Sequence, residues 1–198
     1  SARGNSALQQ KKAPTRDRIV AAAKQLFGER GFHQTAMADL AGAAQVSVGT
    51  IYRTFPGKSE IIRAIILSDT EGTLGELQGD IARLEAGVDS RADVVESMVL
   101  RWVSKRDDDA LGHEIVAECH RNPELAELIA CICTRLRDQF RTLAHLLQPG
   151  ATPLQVEGAA ELLLACLFGM GSREFTGPTL TDEQTASAVT ALVLKALD

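Results

Sequence analysis

Arg53 is the side chain with the most direct chemistry to offer. It lies in the segment Thr35 to Phe55, TAMADLAGAAQVSVGTIYRTF, on the helical face that also carries Gly49 and Thr50, opposite the apolar pair Ile51 and Phe55. A guanidinium on such a face can bond O6 and N7 of guanine together, Val48 can meet a thymine methyl, and Gly49 lets the backbone come close to a groove. Thr35 and Ser47 stand where two short helices should begin, and exposed N–H groups at a helix start favour phosphate oxygens. Both residues would equally cap a helix in any protein. Two short capped helices joined by about four residues have the form of a helix-turn-helix, whose second helix can enter a major groove. Short helix pairs also occur in ordinary all-α cores, so the segment by itself leaves DNA reading and plain packing both open.

Other residue types are less telling. Cys119, His120, Cys131, Cys133, His113 and His145 could suggest a metal or thiol sensor. Cys131 and Cys133, two apart on a helix, diverge by about 200° and make a poor chelate, so structural thiols are the better reading and no metal or cofactor is expected. The chain has no Gly-rich phosphate loop, no H-E-x-x-H and no G-x-S-x-G, which argues against an enzyme. Met98, Trp102, Cys119, Phe140 and Phe168 are large or polarizable and suit either a core or an apolar pocket, with Glu118 and His120 as polar groups that could orient a ligand.

The elements that must position these residues read as helices throughout. Residues 1–14 show no periodicity and are expected to be a flexible arm. From Thr15, read as a cap, Ile19, Ala22, Ala23, Leu26 and Phe27 recur at helical spacing up to Gly31. The second helix, starting at Thr35, presents Met37, Leu40, Ala41 and Ala44. The third starts at Ser47 and stops at Pro56-Gly57, and the three make a small core over 15–60. A longer helix from Lys58 should loosen at Gly72, Gly75 and Gly79 and act as a connector. Further helices are expected at Ser90 to Lys105, Asp108 to Arg121, Pro123 to Leu147, Pro153 to Gly171 and Thr181 to Leu197, with Pro123 in a first turn and Thr152 and Thr181 as caps. The last two alternate large apolar residues with Gly and Ala, a composition that lets helices approach closely and would build a four-helix interface with a second copy.

Composition agrees with this fold class. The 198 residues are 45% hydrophobic but only 4% aromatic, with Ala and Leu prominent, which favours an all-α protein. The longest apolar run, Leu162 to Gly171, is shorter than the roughly 18 to 20 residues that span a bilayer, so no membrane association and a cytoplasmic location are expected. Net charge is −5, yet up to Glu60 nine Lys and Arg stand against four Asp and Glu, leaving the acidic excess to the remainder. A basic segment joined to an acidic one fits a nucleic-acid-binding module attached to something else.

At these residues the chain resembles the N-terminal domain of TetR-family transcriptional regulators. The run Ile19, Ala22, Ala23, Leu26, Phe27, Gly31, Thr35, Leu40, Ala41, Ala44, Val46, Ser47, Gly49, Thr50, Ile51, Tyr52, Phe55, Lys58 and Ile61 carries the likeness, and SVGTIYRTFPGKSEI is its most specific part. The resemblance implies an all-α homodimer, with an N-terminal three-helix helix-turn-helix domain over 15–60 and a larger C-terminal helical domain over 61–198 for dimerisation and ligand binding. The function expected on this basis is a repressor released from a pseudo-palindromic operator in double-stranded DNA by a small-molecule effector, and the candidate pocket side chains Met98, Trp102, Phe140 and Phe168 suggest a largely apolar one. Tyr52 and Lys58 match positions that hold the DNA backbone, and Thr50 is a further phosphate or base contact. Two positions depart from the pattern: Gln45 replaces the usual turn Gly, and Thr54 stands where an aromatic residue or His often contacts a base. The competing readings are a helical protein-interaction module without DNA readout and a metal- or thiol-responsive regulator.

Overall fold

The computed structural model describes residues 14–104, 109–170 and 172–198, and every regular element among them is a helix. The chain divides into two compact units, one formed by residues up to 69 together with 110–121, the other by 70–109 and 122–198.

The first unit begins with α1, Thr15–Arg30, which buries Ile19, Ala22, Ala23, Leu26 and Phe27 on one stripe. Pro14 occupies the cap position and its carbonyl accepts from Arg18 N, so Thr15 lies inside the first turn and does not cap the helix. Gly31 ends α1 at φ +83°, a conformation costly for a residue with a Cβ. The short helices α2, Met37–Ala43, and α3, Val48–Thr54, follow, burying Leu40, Ala41 and Ile51, with Phe55 sealing the end. Between them Gln45 takes φ +54°, the left-handed conformation for which the usual Gly would be suited. Arg18 Nη2 steadies that turn by donating to Ala44 O at 2.5 Å and Gln45 O at 2.7 Å. Helix α4, Lys58–Glu85, starts in this unit, where Lys24 pairs with Asp69. Helix α6, Asp109–Cys119, also belongs here and seats Leu111 against Gly28.

In the second unit α4 continues without a break through Gly72, Gly75 and Gly79, contrary to the loosening their presence predicts. All three face open space, so each costs only its propensity, about 1 kcal/mol, while burial of Leu74, Leu77 and Ile81 favours the helix. Helix α5, Arg91–Ser104, packs chiefly against α9, Asp182–Leu197, burying Val94, Val95, Val99 and Val103. Asn122 caps α7, Pro123–Leu147, through Glu124 N and Leu125 N. Thr181 caps α9 by a reciprocal pair with Gln184.

Helix α8, Pro153–Met170, lies along α7, where Arg141 bonds Glu157 at 2.7 Å and Arg137 bonds Glu161 at 2.6 Å. The Arg141 guanidinium holds the Glu157 carboxyl below the usual carboxylate range. Taken over its whole length, α8 is long and apolar enough to cross a membrane by length and composition, which the run Leu162 to Gly171 alone does not indicate. Its two ion-paired glutamates and its packing on α7 are features of a bundle helix. A 3₁₀ turn, Arg173–Thr176, not foreseen in the sequence, is tied to α9 by Arg173 bonding Asp182 and Thr185.

Candidate nucleic-acid interface

Ser47 opens α3 by accepting from Thr50 N at 3.1 Å, while its hydroxyl also bonds the Thr50 hydroxyl at 2.8 Å. With Ile51 and Phe55 turned inward, the rest of α3 is left facing out. Val48 is 49% exposed and Tyr52 52%, and Gly49 and Arg53 are exposed beside them. Arg53 Nη2 donates to Thr50 Oγ1 at 3.2 Å, which holds the guanidinium along the helix surface. Thr54, half-buried, donates to Thr50 O and stays on the helix. Val48, Tyr52, a glycine that leaves the backbone open and a cation thus share the outward side of α3. The geometry supplies the donor, methyl contact and hydroxyl that groove recognition uses.

Arg16 joins this surface from a different helix. Its guanidinium lies 5.1 Å over the Phe55 ring, placing an exposed cation from the first turn of α1 beside the end of α3. The periodicity of α1 gives no sign of this, because the contact spans 39 positions of sequence.

Two of the candidates are placed differently from expectation. Thr35 is fully buried, and its hydroxyl donates to Gly31 O at 2.9 Å and Leu26 O at 3.3 Å, closing the end of α1. The α2 start is served by Asp39, which accepts from Ala36 N at 2.9 Å, so Thr35 neither caps α2 nor offers its hydroxyl to a phosphate. Lys58 Nζ turns inward to Phe32 O at 2.7 Å and Thr35 O at 2.9 Å and sits 4.6 Å over the Phe32 ring. Its charge is committed to the turn between α1 and α2.

The pocket candidates separate into three groups. Met98, Trp102 and Phe140 come together in the second unit, with Trp102 and Phe140 edge to face at 5.8 Å. Around them Thr73, Glu76, Leu77, Asp80 and Arg101 enclose a cavity of about 10 Å³, room for about one water. Asp80 is almost wholly buried and paired with Arg101, and its burial raises its carboxyl above the ordinary value despite that partner. Glu118, Cys119 and His120 lie on or just after α6 in the first unit, where buried Glu118 faces His33 Nε2 at 3.4 Å; they do not line this cavity. Phe168 is 50% exposed on α8, because the side of α8 that packs inward is formed by Val156, Ala159, Ala160, Leu163 and Leu164. Among the described residues no group of three His, Cys, Asp or Glu is arranged to hold a metal ion. Burial raises the thiols of Cys119, Cys133 and Cys166 above their usual range, which makes them weak nucleophiles.

Residues 19–65 match the bacterial regulatory proteins of the tetR family, and residues 86–198 match the tetracyclin repressor-like C-terminal domain. The chain is 36% identical over 122 residues to the HTH-type transcriptional regulator UidR of Escherichia coli K12, covering 62% of this chain and 60% of UidR. It is 27% identical over 179 residues to the HTH-type transcriptional regulator TtgR of Pseudomonas putida, covering 85% and 83%. Among solved structures, Salmonella enterica GusR superposes with a TM-score of 0.73 at 28% identity, over 93% of this chain and 95% of that one. With residues 19–65 and 86–198 both matched, the chain belongs to the tetR family of bacterial regulatory proteins.

Proposed function

We propose that the protein is a cytoplasmic transcriptional repressor that binds a pseudo-palindromic operator as a homodimer and releases it when a small organic effector occupies the C-terminal helices. The observation that carries this reading is the outward face of α3, where Val48, Gly49, Thr50, Tyr52 and Arg53 lie together and the side-chain hydrogen bonds of Thr50 and Arg53 among the described residues stay within 47–54. In this reading Arg53 reads a guanine edge, Val48 meets a thymine methyl, and Ser47, Thr50, Tyr52 and Arg16 hold phosphates. Residues 15–60 form the reading domain and 61–198 the effector and dimerisation domain.

The dimer uses the outer faces of α8 and α9. Ala165, Phe168 and Gly169 on α8 and Ala188, Ala191 and Leu192 on α9 are exposed, small residues alternating with large ones. Pairing with a second copy buries this face and supplies two α3 helices for two half-sites. The effector enters at Met98, Trp102 and Phe140, with an apolar body against these side chains and a polar group that meets the Asp80–Arg101 pair. The test is selection of bound sequences from a random duplex pool, followed by titration at several salt concentrations. Enrichment of a two-fold symmetric site with salt-dependent affinity supports the repressor; retention of no duplex at low salt overturns it.

A further inference from the structure

The turn from Gly31 to Ala36, which launches α2 and so sets the helix-turn-helix, is held by a segment far away in sequence. Glu114 on α6, 82 residues from Phe32, accepts the Phe32 N–H at 2.8 Å. Its carboxylate lies against Gly31, 3.5 Å from where a Cβ there would stand. One turn along, buried Glu118 faces His33, and one turn back Leu111 packs on Gly28. Lys58 holds the same turn by its carbonyls, Phe32 O and Thr35 O. The backbone of this turn is therefore gripped on its N–H side by α6 and on its C=O side by the start of α4.

We propose that Glu114 is a positioning residue for the reading head: its bond to Phe32 N–H fixes the turn and thereby the angle at which α2 and α3 leave α1. This rests on the operator reading above.

Electrostatics makes the test sharp. Removing an acid from a DNA-binding unit should by itself leave binding unchanged or strengthen it, whereas loss of the Phe32 acceptor should weaken it. Glu114→Gln removes the charge and keeps an acceptor oxygen; Glu114→Ala removes both. The dimer is titrated against the operator selected from the random pool, and amide exchange at Phe32 is followed without DNA. Expected is an affinity for the Ala variant about tenfold weaker, with an unchanged salt slope and faster Phe32 exchange, and a Gln variant at least as tight as wild type. An Ala variant that binds as well as wild type, or a Gln variant that falls as far as the Ala variant, overturns the proposal. A wild-type protein that retains no duplex overturns instead the operator reading beneath it, and protected Phe32 exchange in the Ala variant would refute the clamp independently.

Discussion

Arg53 lies exposed along the surface of α3, whereas Lys58, five residues on, turns inward to the carbonyls of Phe32 and Thr35. Arg53→Ala should cost about 1 to 3 kcal/mol on the preferred site and flatten base preference at one position, read by competition between operator variants. Lys58→Ala should instead lower the thermal midpoint, by loss of hydrogen bonds to carbonyls worth about 1 to 3 kcal/mol. Its salt slope should stay near wild type, where loss of a phosphate cation would reduce it by about one. Gln45→Gly is expected to raise stability by up to about 1 kcal/mol, because Gly relieves the left-handed strain at φ +54°, and the gain is read by denaturant titration. The need for Gly at position 45 could be read from the family pattern, and the backbone agrees. The orientations of Thr35 and Lys58 could not, since a residue beside a helix start indicates a turn and not which of two chain ends its polar group will serve.

At the scale of elements, helices α1 and α3 are legible because an apolar period and a terminator coincide, at Gly31 for α1 and at Phe55-Pro56-Gly57 for α3. The continuity of α4 is not, because the glycines advertise a local cost while the offsetting burial of Leu74, Leu77 and Ile81 comes from neighbours distant in sequence. The same limit scattered the pocket candidates: Glu118, Cys119 and His120 are adjacent in the chain, but α6 is grouped with the first unit. Helix α4 also carries Asp80, whose carboxyl is raised by burial above the ordinary carboxylate value, with Arg101 and Arg83 opposing that shift. A folded-state pKa above the unfolded one means the native state holds the proton longer, so stability from this group is largest at low pH and is lost as pH rises through the interval. Asp80→Asn removes that ionisation, and the fall in thermal midpoint from the ordinary carboxylate range upward should be shallower in the variant than in wild type.

At the scale of the molecule, the proposed dimer would cover the exposed faces of α8 and α9 with a second copy. Phe168, 50% exposed, and Leu192, 59% exposed, would each contribute about 0.8 to 1.8 kcal/mol on burial of what remains in solvent. Phe168→Glu and Leu192→Glu together should give a monomer by sedimentation and lose high-affinity operator binding, since one reading head covers one half-site. The cavity beneath Trp102 has a different consequence, one of timing. At about 10 Å³ it is far below the roughly 300 to 1,000 Å³ of a ligand site, so under the proposed function an effector has to wait for α4, α5 and α7 to part before it can enter. Observed affinity is then discounted by the fraction of time the site stands open. Induction should respond to rising effector concentration only up to a plateau rate, set by the breathing of the helices and no longer by the frequency of collision.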